Sequence, residues 1–257
     1  MPALVSFTLD NLGDAADLQR NIIKAPRPSG ANPALEQGYP ALLDLFARYD
    51  VSATCFVEGW SARQYPDYLR RIESLGHEIG MHGWQHEKWA SLTETEVTEL
   101  TLRATESITE ATRKAPFAFR APGGLNTPFT QQLLERLGYL IDASFADSKQ
   151  VNFLGKTLIS IPYQWSGVDA THWLWNKRTP DDVNDLWKEA LLEAAENNEH
   201  FVFIWHPHVM GLNPAWLAAG ERIIRFIQED KQLQIVSLRT IHESALKTNL
   251  ANAPPSS

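Results

Sequence analysis

The sequence predicts an α/β chain built on a parallel sheet, for three reasons. Short apolar runs of strand character alternate with longer amphipathic runs of helical period, and each such helix returns the chain to start another parallel strand. Four of the apolar runs end in a side chain able to do chemistry, where α/β folds place their active sites. The 257 residues suffice for one domain with a full core, since single barrels of about 250 residues are routine. We read a single domain over 1–250 and a disordered tail at 251–257, where the chain ends in Pro254, Pro255 and two serines.

The elements follow in order. The first strand starts at residue 3 and ends in Asp10 and Asn11. Residues 11–38, with several Gly, Pro and Asn, predict a long loop over the strand end with a short helical piece. Helical patterns at 40–49 and 66–75 flank a strand at 52–57, and a strand at 77–81 runs into His82. Ser91 and Thr93, each three residues before a glutamate, are capping-box candidates for a helix running to about Thr112. Strand 117–120 ends in Arg120, followed by a Pro-Gly-Gly turn, a helix at 128–137 and a strand at 139–142. Strand 157–161, helix 180–198, strand 201–205, helix 214–229, strand 233–236 and helix 238–247 complete the alternation.

The strand ends carry the chemistry. His82 and His86 are spaced to reach one divalent ion from the same side, provided the turn between them is helical. Asp10, Arg120 and His206 each close another apolar run. Each has a plainer explanation: a helix N-cap for Asp10, a surface ion pair for Arg120, a satisfied core histidine for His206. Four such strand ends in one chain favour a shared site.

With these residues in place the chain resembles the polysaccharide deacetylases of the NodB homology family (carbohydrate esterase family 4). Thr8-Leu9-Asp10-Asn11 is similar to its Thr-Phe-Asp-Asp motif, and His82-Gly83-Trp84-Gln85-His86 to its His-(Ser/Thr)-x-x-His motif. Arg120-Ala121-Pro122-Gly123 resembles its Arg-x-Pro motif, and Phe203-Ile204-Trp205-His206 its late catalytic strand. Ala53-Thr54-Cys55-Phe56-Val57 looks like its second strand. The glycine in the histidine motif and the proline after His206 look closer to the cytoplasmic peptidoglycan-deacetylase-like and allantoinase-like branch. The resemblance implies a distorted (β/α) barrel with seven or eight strands. It also implies a divalent metal, zinc by expectation, on Asn11, His82 and His86, with Pro122 and Gly123 beside the substrate.

One position departs from the family. Asn11 stands where a metal-binding aspartate is usual; its amide oxygen brings no charge, so metal affinity should fall. Asp14 is close but poorly placed to substitute, and some allantoinase-like relatives have lost metal dependence. The implied chemistry is amide hydrolysis. The metal polarises the carbonyl and acidifies a bound water. Asp10 takes the proton of that water, His206 protonates the leaving amine, and Arg120 keeps Asp10 ionised and oriented. Trp173 and Trp175 are the expected substrate-facing wall, since aromatic faces suit sugar rings and planar ureides. Asp142, Ser144 and Asp147 are weaker candidates for contact with substrate or His206. Glu87 is expected to support a helix there and His208 to be plainly exposed.

Composition bounds the partners. A net charge of −8 argues against nucleic acid or an anionic membrane surface. The lone Cys55 lies in an apolar run and is expected to be a buried, inert thiol. No apolar run approaches the roughly 20 residues that span a bilayer. No basic segment followed by an apolar one opens the chain, so the expectation is a cytoplasmic protein. The expected substrate is a small molecule or oligosaccharide: an N-acylated sugar, a ureide or another small amide. The cytoplasmic branch suggests a homo-oligomer, for which the residues themselves carry no interface signature. A binding protein descended from an enzyme is the reading from another class, and the joint presence of Asp10, Arg120 and His206 argues against it.

Overall fold

The computed structural model describes residues 2–28 and 30–252. Among these, nine strands form one curled sheet: β1 (Ala3–Asp10), β2 (Thr54–Val57), β3 (Glu78–Met81), β4 (Ala118–Phe119), β5 (Ile141–Asp142), β6 (Asn152–Phe153), β7 (Ile159–Ser160), β8 (Phe201–Trp205) and β9 (Leu233–Ile235). The order is β6-β7-β5-β4-β3-β2-β1-β8, with β9 on the first residues of β1. All pairings are parallel except β6 with β7. Seven parallel strands, β7 round to β8, therefore make the curl, and a single bridge between Val168 and Ile204 links its two ends. This is the distorted (β/α) barrel expected from the sequence.

Outside the sheet lie α1 (Ala15–Gln19), α2 (Tyr39–Arg48), α3 (Gly59–Gln64), α4 (Pro66–Ser74), α5 (Glu94–Thr112), α6 (Pro128–Arg136), α7 (Pro180–Glu196), α8 (Pro214–Glu229) and α9 (Leu238–Asn252). Thr93 caps α5 with Glu96 in a reciprocal capping box, and Thr179 caps α7 with Asp182 in the same way. Prolines occupy the first turn of α4, α6, α7 and α8, where a missing N–H costs nothing.

Strand alternation decides which side chains reach the site. Phe7 and Leu9 of β1, Cys55 and Val57 of β2, Phe119 beside β4's end, and Phe203 and Trp205 of β8 belong to the large core packed against the helices. Phe56, Ala118, Ile141, Ile159, Val202 and Ile204 form a second core inside the curl. Residues of this inner parity continue at the strand ends as Asp10, His82, Arg120 and His206, so all four turn inward. A one-residue slip in any strand would point its group at the helices.

Several boundaries differ from expectation. The expected strands at 117–120, 139–142 and 157–161 contract to two residues each, because the strongly curled sheet sustains only short ladders there. α3 and the exposed β6 strand were not predicted, being too short to show a period. α9 continues to Asn252, so the first two residues of the expected tail are helical; the rest of that tail lies outside the described residues. No described helix is long and apolar enough to cross a membrane.

Candidate active site

The C-terminal ends of β1, β3, β4 and β8 bring Asp10, His82, Arg120 and His206 to one cavity of about 210 Å³, with Asn11, His86 and Gly123 also on its wall. Asp10 is 4% exposed and accepts a hydrogen bond from Arg120 Nη1 at 2.6 Å. The same guanidinium donates from Nη1 to Thr8 Oγ1 and from Nε to the Ala143 carbonyl, 2.8 and 2.9 Å away. Arg120 is 1% exposed and lies over the Phe56 ring, so a surface ion pair is ruled out. A fully buried guanidinium needs its carboxylate partner, and together they fix Asp10 rigidly.

His206 is held from the opposite wall. Asp169, fully buried, accepts hydrogen bonds from the His206 backbone N–H and from Nδ1, each at 2.6 Å. Burial opposes charge on the imidazole, but Asp169 at contact, helped by Asp10, outweighs it and raises the His206 pKa above its ordinary 6.5. Nε2 is thereby left as the proton-bearing atom facing the cavity. A carboxylate partner was missed in the sequence because Asp169 sits in an irregular stretch with no motif around it. Asp142 does not reach His206; it accepts from Ser144 N and Asn126 Nδ2 and organises its own turn. Ser144 in turn accepts from Ala121 N through its hydroxyl, and Asp147 is exposed away from the cavity.

The histidine motif is not helical. Gly83 at φ 73° and His86 at φ 75° make a turn instead, and Glu87 satisfies it by accepting from Trp84 N at 3.0 Å and Gln85 N at 2.7 Å. Glu87 therefore supports a turn and not the expected helix, because Gly83 and His86 wind the backbone the other way. A side chain at Gly83 would be strained by its φ and would press on Glu87 and Pro122. The turn still brings the two imidazoles together, 4.9 Å between centroids. His82 donates from Nδ1 to the Arg120 carbonyl at 2.9 Å, which leaves the Nε2 lone pair free, 3.8 Å from Asp10. Burial lowers the pKa of His82; burial, then His82 and Arg20, lower that of His86 to about 2.

Three donors suit a divalent ion: His82 Nε2, His86 and Asn11 Oδ1, the last a buried oxygen without a hydrogen-bond partner. None carries charge, and the described residues hold no cluster of three His, Cys, Asp or Glu groups fit for a metal. Asp14 is no substitute, because Arg27, Asn32 and Tyr65 all bind its carboxylate. The Arg20 guanidinium, moreover, lies 3.4 Å from both ring nitrogens of His86. The donor set thus fits an ion, with the Arg20 charge set against it.

The aromatic wall is corrected in part. Trp175 is on the cavity and exposed, joined by Tyr163, Trp165 and Leu174. Trp173 is 3% exposed and stacks on Trp216 at 5.0 Å, inside the core. Residues Thr171–Trp175 form a π-helical turn, so positions two apart face opposite ways, whereas a strand would have set them on one face. Pro122 is also corrected: it is buried behind the cavity against Gly83, while Ala121, Gly123 and Gly124 line it. His208 is exposed yet borders the cavity, 5.4 Å from the His206 ring.

A parallel barrel with an acid–base pair at its strand ends is an arrangement suited to proton-transfer chemistry. A family model, polysaccharide deacetylase, matches residues 29–141, which include His82, His86 and Arg120. The peptidoglycan deacetylase of Helicobacter pylori is 25% identical over 251 residues, covering 83% of this chain and 85% of that one. A Mycobacterium smegmatis crystal structure described as of polysaccharide deacetylase type superposes with TM-score 0.85 at 24% identity, over 99% of this chain and 94% of that one. PuuE allantoinase superposes with TM-score 0.79 at 24% identity, over 96% and 91%. Over residues 29–141 the chain thus matches the polysaccharide deacetylase family, and over most of its length it is similar to a peptidoglycan deacetylase.

Proposed function

We propose that this enzyme removes an N-acyl group, acetyl first among them, from a sugar-like or other small amide. The observation that carries the reading is one cavity of about 210 Å³ faced by Asp10 and His206, the first paired with buried Arg120 and the second with buried Asp169. Asp10 takes a proton from the attacking water, and Arg120, bonded to its carboxylate, holds it aimed while it does so. His206, kept protonated by Asp169, gives its Nε2 proton to the leaving nitrogen as the C–N bond breaks. A divalent ion, zinc by expectation, would be held by His82, His86 and Asn11, and when bound it supplies Lewis-acid polarisation of the carbonyl. The cavity volume accommodates about one ring, which supports a small substrate over a polymer.

The same volume supports a second reading, hydrolysis of a ring amide or ureide, and the likeness to PuuE allantoinase points the same way. Purified enzyme offered an N-acetylated amino sugar, a short N-acetylated oligosaccharide and allantoin separates the two. Acetate release from the sugars supports deacylation; ring opening of allantoin without acetate release replaces it with the second reading. A cytoplasmic location belongs to the same proposal, supported by the cysteine content of one, and cell fractionation checks it.

A further inference from the structure

Neither the motifs nor the acid–base pairs use Arg20, yet it lines the catalytic cavity. It follows α1 and reaches His86, with Nη2 3.4 Å from Nδ1 and from Nε2. Equal distances to two nitrogens of one ring set the cation beside the imidazole as a whole, not on one lone pair. The neighbouring carboxylates do not claim it, because Arg27 takes both Asp14 and Asp17. The same cavity wall carries Asn11, whose buried Oδ1 has no partner.

We propose that Arg20 is the resident cation of this site, and that its charge opposes the binding of a divalent ion at His82, His86 and Asn11. The proposal rests on the reading of the cavity as the hydrolytic site. Charge counting explains why Asn11 and Arg20 occur together. A carboxylate at position 11 with a divalent ion would leave one net positive charge, and the carboxamide of Asn11 with one guanidinium leaves the same. Either arrangement sets a single excess positive charge beside two neutral imidazoles, where a carbonyl oxygen must become an oxyanion. Both together are disfavoured. Arg20 is exposed, so water screens the repulsion, and a guanidinium some 5 Å from a divalent ion weakens its binding by on the order of tenfold. Loss of the carboxylate at position 11 contributes a similar factor.

The test is zinc titration by calorimetry into chelator-stripped wild type, Arg20→Gln, Arg20→Lys, Asn11→Asp and the Asn11→Asp/Arg20→Gln double variant, with thermal melts to confirm folding. Arg20→Gln should bind zinc on the order of tenfold more tightly than wild type, and the double variant on the order of a hundredfold. Arg20→Lys, which keeps the charge, should stay near wild type. Chelation should leave wild-type turnover unchanged. The proposal is overturned if Arg20→Gln binds zinc within about twofold of wild type, if Lys and Gln tighten binding alike, or if chelation abolishes wild-type turnover. A protein inactive on every amide whose Arg20→Gln variant still binds zinc more tightly would sink the functional reading and leave this one standing. An active enzyme whose zinc affinity ignores Arg20 would do the reverse.

Discussion

In the proposed reaction Asp10 and His206 divide the chemistry because their partners differ. Arg120 binds Asp10 from β4's end, whereas Asp169 binds His206 and favours the charged imidazole. Asp10→Asn keeps the shape and removes the base; turnover should fall by about 10²–10⁴-fold with the fold unchanged by circular dichroism. Arg120→Ala strands a buried carboxylate, so it should also cost about 3–5 kcal/mol in urea unfolding. The His206 pKa is raised in the folded state, so its pairing stabilises the protein fully below the ordinary 6.5 and that gain fades as pH rises through the folded value. Activity that needs the protonated form should vanish over the same alkaline range. Asp169→Asn should move that limb of the kcat profile to lower pH, and an unmoved limb would dissociate His206 from the acid role.

Among the elements, α7 and the π-helical turn before it show how packing sorts tryptophans that look alike in sequence. Trp187 of α7 is fully buried and meets Phe203 edge-on at 5.2 Å, Trp205 at 6.0 Å and Trp173 at 5.5 Å. Trp187→Ala should therefore destabilise by about 3–5 kcal/mol, read as a lowered urea midpoint. Trp173→Ala belongs with it. Trp175 is 64% exposed on the cavity wall, so Trp175→Ala should leave the melting temperature nearly unchanged and raise KM. Glu58, just past β2, is fully buried and accepts from Leu12 N at 3.0 Å, which ties the turn after Asp10 to the neighbouring strand. Burial lifts its carboxyl to about 8, so the group sits there neutral at physiological pH.

For the whole molecule, the uneven closure of the barrel is the governing feature. β1 is laddered to β2, β8 and β9, while among the described residues the stretch after β7 meets β8 through one backbone bridge, Val168 with Ile204, and through side-chain bonds such as His200 Nε2 to the Pro162 carbonyl. Hydrogen exchange should consequently be slowest in β1 and β8 and fastest in β6 and around 162–176, the stretch that carries Asp169, Trp165 and Trp175. Comparable protection in both regions would mean that the seam is tighter than its ladder indicates. The acid's partner and the aromatic wall thus lie on the least laddered part of the barrel, while Asp10 lies on the most. Substrate-dependent ordering is expected on that side alone.

By itself the sequence determined the alternation of strands and helices, the inward parity of Asp10, His82, Arg120 and His206, and the departure at Asn11. These are local properties: a period of two along a strand, a residue type at its end. Asp169, the lodging of Trp173 in the core, the retreat of Pro122 behind Gly83 and the approach of Arg20 to His86 were decided only by tertiary structure. Each pairs groups distant along the chain, 37 residues for Asp169 with His206 and 66 for Arg20 with His86, or turns on a helical winding too short to leave a period. No local pattern encodes such partners, because they become neighbours only after the sheet has curled.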